Sequence, residues 1–298
     1  MNNIKSEFSI KDLEHLSGIK AHTIRIWEKR YNLFEPNRTE TNIRTYSIDS
    51  LQKLLNVTAL YNNGYKISKI SQLSNQEILD KAKLLTISSN EDHILNIFKI
   101  ATINFDKALF INTYKKLETE KSFSEIFHEV FMPLLEEIGF LWQTKTITPA
   151  QEHFISELIK QKILVNTEKY QSADVSKNEK VYALFLPDYE IHELGLQYVN
   201  YQLTKEGFQT IYLGGSVPLN SLKDLVKNYD YIEFITYFTV NPTCENIDNY
   251  LAEFHTELLN NSNHHLHILG RQTDCIDLKT LPKTIKTYES IQNLVKAM

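Results

Sequence analysis

Two groups of side chains in this chain of 298 residues have the composition of a ligand site. The first is Glu190-Ile-His192-Glu-Leu-Gly195. A neutral imidazole is a good metal ligand, and a carboxylate two residues earlier can hold its other ring nitrogen, fixing tautomer and ring direction. Gly195 leaves a helix start without a side chain, so that a ligand can approach it. So short a motif also recurs by chance, in which case His192 is a loop histidine and Gly195 a packing glycine. The second group is Trp142, followed after nine residues by Glu152 and His153. Taken singly, Trp142 reads as a core tryptophan and His153 as an ordinary polar residue.

The elements around these residues decide whether they can act together. The apolar run Val181 to Leu186 suits a strand buried on both faces, and a helix follows from about His192 or Glu193 to Lys205. Further strands are expected at Gln209 to Leu213, Tyr231 to Thr236, His265 to Leu269 and Thr284 to Tyr288. Helices are expected from Pro218 to Lys227, from Cys244 to Leu259 and up to Ala297. Such alternation predicts a doubly wound parallel sheet, which binds ligands at the carboxyl ends of its strands. Upstream, Phe123, Phe127, Val130, Leu134, Ile138 and Leu141 recur at helical spacing, which predicts a bundle helix kinked at Pro133. The next helix has a clear start: Thr148 as N-cap, Pro149 in the first position and Gln151 completing a capping box. His153 then lies near the positive end of the helix dipole, which favours the neutral, ligating imidazole.

The other end of the chain differs in charge. Residues 1–75 hold 11 Lys/Arg against 7 Asp/Glu, whereas the remainder holds 21 against 30. A basic head on an acidic body suits nucleic-acid binding by the head. Ser9 can cap a helix to about Leu16, Gly18 makes a turn, and a second helix runs from Ala21 to Arg30. This is the helix-turn-helix layout. The polar segment Leu33 to Tyr46 suits a β-hairpin wing, and Ser47 caps a helix carrying Leu51, Leu54 and Leu55. Arg25, Lys29, Arg30, Arg38, Arg44 and Tyr46 are the candidate contacts to double-stranded operator DNA. Trp27 is expected in the core.

The chain therefore reads as multidomain: a winged helix-turn-helix at 1–75, a helical bundle at 76–170 and a Rossmann-like α/β domain at 180–298. No apolar stretch is long enough to cross a bilayer and no export signal opens the chain, so a cytoplasmic location is expected. Cys244 and Cys275 are expected as buried reduced thiols.

The run Thr23-Ile-Arg-Ile-Trp-Glu-Lys-Arg-Tyr31, with Pro36-Asn-Arg38 and Arg44-Thr-Tyr46, resembles the MerR family of winged-helix regulators. Its W-E-x-R-Y form resembles the branch that includes CarH-type photoreceptors. The resemblance implies a dimer on a near-palindromic operator, with the second helix in the major groove. Trp142, Glu152 and His153, with Ile138-Gly139 ahead of them, are similar to the W-x9-E-H signature of the bundle that caps adenosylcobalamin in such regulators. That implies Trp142 against the adenosyl group, Glu152 hydrogen-bonded to it, and His153 as an upper cobalt ligand once the group is lost. Glu190-x-His192-x-x-Gly195 resembles the cobalamin motif D-x-H-x-x-G, which implies His192 as the lower cobalt ligand. By the same resemblance the S-x-L element falls on Thr236-Tyr-Phe238, and the later G-G element keeps only Gly270 before Arg271. Gly214, Gly215 and Ser216, with Pro218, are expected to wall the pocket for the nucleotide tail.

The expectation is a non-enzymatic, self-associating repressor that binds adenosylcobalamin and changes oligomeric state when light removes the adenosyl group. A regulator switched by another cobalamin form or by a partner protein is the alternative. A corrinoid methyl carrier, whose fold also pairs a bundle with such a sheet, is disfavoured by the winged-helix head.

Overall fold

The computed structural model describes residues 7–39, 42–85, 91–171 and 180–298. Residues 40 and 41 of the expected wing, and most of the polar stretch from Gln171 to Lys180, lie outside the described residues. The chain divides into two compact units, residues 1–158 and 159–298. The expected head and most of the expected bundle thus cluster together, and the boundary falls within the helix that starts at Pro149.

In the first unit, β1 (Glu7–Phe8) precedes α1 (Ile10–Ser17), which Ser9 and Asp12 open with a capping box. After Gly18, α2 (Ala21–Tyr31) buries Ile24 and Trp27. Trp27 packs edge-on against Tyr61, with ring centroids 5.2 Å apart. The wing consists of β2 (Asn37–Arg38) and β3 (Arg44–Ser47), and with β1 it forms a three-stranded antiparallel sheet in the order β1-β3-β2. Ser47 caps α3 (Ile48–Asn62), whose leucines 51, 54, 55 and 60 are buried. The short α4 (Ile67–Ile70) and α5 (Asn75–Leu85) complete this region.

The helical middle comprises α6 (Glu91–Asn104), α7 (Lys107–Leu117), α8 (Phe123–Ile126) and α9 (Met132–Gln143). Its core is aromatic: Phe98, Phe110, Tyr114 and Phe131 have centroid separations of 5.1 to 6.5 Å. Between α8 and α9 one turn of π-helix, Phe127–Phe131, widens the backbone before Pro133. The expected kink takes this form because a proline clashes with the preceding turn and has no N–H to donate, and a widened turn accommodates both. The helical middle also touches α1. Lys99, buried, donates to the Leu16 carbonyl at 3.3 Å and pairs with Glu137 at 2.5 Å, and the His15 and Phe140 rings meet edge-on at 5.3 Å. Thr148 and Gln151 close the expected capping box at the start of α10 (Pro149–Glu168).

The second unit is built on a five-stranded parallel sheet in the order β5-β4-β6-β7-β8. The strands are β4 (Lys180–Phe185), β5 (Thr210–Gly214), β6 (Tyr231–Tyr237), β7 (His265–Leu269) and β8 (Ile285–Thr287). The connecting helices are α11 (Leu194–Lys205), α12 (Lys223–Val226, after one 3-10 turn), α13 (Ile247–Phe254, extended by a π turn) and α14 (Ile291–Ala297). The two faces of the sheet differ. Val181, Ala183, Phe185, Ile232, Phe234, Phe238, Leu266 and Ile268 form an apolar core with α13. The alternate residues, among them Tyr182, Tyr212, Glu233, Tyr237 and His267, point to the other face, beneath α11.

The expectation for the cysteines is corrected. Cys244 and Cys275 are exposed and joined by a disulfide, with Cα atoms 5.4 Å apart. They lie in the loops after the adjacent strands β6 and β7, so one sheet edge brings together residues 31 positions apart.

Candidate functional site

The loop after β4 is built around Glu190. Its carboxylate is fully buried and accepts six hydrogen bonds. On Oε1 the donors are the amides of Ile191 and His192, at 2.9 and 3.0 Å, and His192 Nδ1 at 2.5 Å. On Oε2 they are the amides of Thr239, Val240 and Asn241 at 3.3, 2.7 and 2.8 Å. Burial pushes the carboxyl up, but His192 and the loop amides outweigh it and hold the group down at about 2. A charged Glu190 therefore fixes the proton of His192 on Nδ1, so that Nε2 carries the lone pair and is the potential ligand atom. The His192 side chain is 52% exposed. Its neighbours are apolar and open to solvent: Tyr189 is 83% exposed, Ile191 72%, and Val240 is exposed as well. An exposed apolar surface around a fixed imidazole is suited to a flat, largely apolar ring with a metal at its centre.

The turn Gly214–Ser216 supports this loop from the side. The Gly215 amide donates to Glu193 Oε1 at 3.0 Å, the Ser216 amide to the Glu190 carbonyl at 3.0 Å, and the Tyr189 amide to Ser216 Oγ at 3.1 Å. Lys160 pairs with the other oxygen of Glu193 at 3.0 Å. Glu193 was not singled out in the sequence. Its acidic side chain three positions after Glu190, at the helix start, was the available signal.

Three expected tail-pocket residues serve other ends. Thr236 lies one position out of phase: strand alternation turns it to the α13 face with Phe234 and Phe238, where its hydroxyl is buried without a partner. The β6 residues on the α11 face are Tyr231, Glu233, Ile235 and Tyr237. Gly195 is required by Tyr237, since a Cβ at Gly195 would lie 2.8 Å from Cε2 and Cζ of that ring. Gly270, with φ 103°, is required by the neighbouring backbone, since a Cβ there would lie 2.4 Å from the Phe238 carbonyl oxygen.

In the first unit, Trp142 ends α9 half exposed rather than in the core, and Glu152 and His153 occupy the first turn of α10. Glu152 accepts from Ser156 Oγ at 2.7 Å, and His153 Nδ1 lies 2.6 Å from its other oxygen. His153 is 76% exposed.

In the head, Arg25 and Lys29 lie one turn apart on the solvent side of α2, and Arg30 and, in the wing, Arg38 are also exposed. Arg38 bonds Asn42 Oδ1 at 2.6 Å. Tyr46 is corrected as a DNA contact: it is buried, and its hydroxyl donates to Glu28 Oε2 at 2.9 Å. Burial and Glu28 together raise its phenol well above the ordinary value. Arg44 pairs with the other oxygen of Glu28 at 3.1 Å. Glu28, quoted in the sequence only as part of a motif, thus clamps the wing to α2, and Arg44 meets it half-buried.

Residues 8–77 match the family described as MerR HTH family regulatory protein, and residues 94–165 match the B12 binding domain. The chain is 24% identical over 222 residues to the HTH-type transcriptional repressor CarH of Myxococcus xanthus, spanning 72% of this chain and 73% of that protein. It is 24% identical over 226 residues to the HTH-type transcriptional repressor CarA of the same organism, spanning 72% and 70%. Among solved structures, the monomethylamine corrinoid protein of Methanosarcina barkeri superposes with a TM-score of 0.51 at 15% identity, over 75% of this chain and 98% of that one. This last likeness is one of fold. No helix among the described residues is long and apolar enough to cross a membrane.

Proposed function

We propose that this chain, a MerR-type helix-turn-helix regulator joined to a B12-binding domain and homologous to CarH and CarA, is a repressor that holds adenosylcobalamin and leaves its operator when light removes the adenosyl group. The observation that carries this reading is the Glu190–His192 pair, fixed by six hydrogen bonds and surrounded by exposed apolar side chains, in a chain with a basic winged-helix head. When bound, the cofactor supplies a cobalt–carbon bond that visible light breaks. His192 would hold the metal, with its tautomer set by Glu190. Trp142 offers an aromatic face, and Glu152 a carboxylate, to the adenosyl group. His153, near the start of α10, would be a second imidazole available to the metal after loss of the adenosyl group. Arg25, Lys29, Arg30 and Arg38 contact the operator, and Glu28 and Arg44 hold the wing in place. A self-associated form with several heads binds more tightly than one head alone, so a change of oligomeric state is sufficient to switch DNA occupancy.

The test is to load the purified protein with adenosylcobalamin in the dark and record its absorption spectrum, elution size and operator binding before and after green light. The reading expects a red, DNA-bound, self-associated species that becomes smaller and releases DNA on illumination. Stable binding without any effect of light favours the second reading, a sensor of another corrinoid form. The residue that β6 places against Gly195 speaks for that alternative.

A further inference from the structure

Cobalamin carries its own lower ligand, a benzimidazole on a nucleotide tail. If His192 takes the metal, that tail has to leave the lower face and settle elsewhere. The space beside the start of α11, where a bare Cα at Gly195 would admit it, is filled from within the chain. The Tyr237 ring lies so close to Gly195 that even a methyl group there would meet it at 2.8 Å. The Tyr237 ring is half-buried, and that burial raises its phenol above the ordinary value.

Toward the amino ends of the strands the same face carries charged side chains. Glu233 accepts from Lys180 Nζ and from the Tyr231 hydroxyl, each at 2.9 Å, and pairs with His267, which reaches the Tyr288 hydroxyl at 3.0 Å. Burial pushes Glu233 up, but His267 and Lys180 outweigh it and hold it at about 2, so this carboxylate is ionised. Seating an apolar base here would break up a paired, buried charge network, which is unfavourable.

We infer that this protein binds the corrin ring without seating the nucleotide tail, and that Tyr237 is the residue that excludes the tail. The ligand class is then a corrinoid selected by its ring and upper group, with the lower nucleotide left in solvent. This inference rests on the cofactor reading above. Its test compares adenosylcobalamin with adenosylcobinamide, which has the same ring and upper group but no nucleotide, by equilibrium dialysis against the full chain in the dark. The expected result is that the natural protein binds adenosylcobinamide at least as tightly as adenosylcobalamin, since only the latter must give up its own lower ligand to His192. Tyr237→Gly, or Tyr237→Leu should the glycine variant not fold, is expected to shift the ratio of the two affinities toward adenosylcobalamin by about tenfold or more, while Tyr237→Phe leaves that ratio unchanged. A natural protein that prefers adenosylcobalamin by about tenfold overturns the inference and leaves the cofactor reading intact. A ratio that neither Tyr237→Gly nor Tyr237→Leu changes overturns the role of Tyr237. If neither corrinoid binds, the cofactor reading falls, and the inference with it.

Discussion

Each unit of the molecule contains a glutamate bonded to a nearby histidine, and the two pairs are built differently. Glu190 is fully buried, accepts six hydrogen bonds and draws three of them from a loop some 50 residues further along the chain. Glu152 sits on one exposed helical turn and is held by its own neighbours, His153 and Ser156. The first histidine is set in one orientation by long-range structure, and the second is restrained only locally. The pair alone therefore does not define a ligand site; what surrounds the carboxylate decides how firmly the imidazole is aimed. A fixed histidine suits a permanent ligand, and a loosely held one suits a ligand that enters only after another has left.

The comparison can be broken most directly at Glu190. Glu190→Ala leaves five backbone amides without their acceptor and is expected to cost about 3–5 kcal/mol in urea unfolding of the α/β unit. A cost near that of an ordinary surface substitution would mean that the pair is not a structural anchor. Acid probes the same group more gently. Its folded value of about 2 lies below the ordinary 4.5, so its contribution is complete above pH 4.5 and disappears as pH falls through about 2. That contribution is about 3 kcal/mol, and stability measured across this window should fall by that much less in Glu190→Gln than in the natural protein.

His192→Ala separates anchoring from ligation. The side chain is half exposed, so stability should change by less than about 1 kcal/mol, while retention of cobalamin on gel filtration, followed by absorption, should be lost. The smallest effect is expected from Glu152→Ala, within about 0.5 kcal/mol in the same unfolding assay. A loss several times larger would place Glu152 in the same class as Glu190 and erase the distinction.

The sequence revealed most where one residue type has one physical use. Thr148, Pro149 and Gln151 marked the start of α10, and the caps at Ser9 and Ser47 fell where their side chains predict. The strand runs of the second unit were equally legible. Which face each strand residue occupies was not, because a strand buried on both sides has no alternation to read. Thr236 was expected at the site from its resemblance to a motif, and the face its side chain takes follows only from the alternation along β6. Tyr46 failed for a related reason: a tyrosine in a wing can donate outward or inward, and only Glu28, 18 residues earlier, decides between them. The disulfide depends on two loops that meet only because β6 and β7 are neighbours.

The hydrogen bond from Lys99 to Leu16 has a consequence for how the protein comes into being. The carbonyl it caps lies in the last turn of α1, and the lysine lies 83 residues further along. During synthesis the winged helix leaves the ribosome well before the group that finishes its first helix. A fragment ending at residue 77 would never acquire it. The head of this protein is therefore best regarded as a fold completed in two instalments, the second delivered by the helix that begins the body.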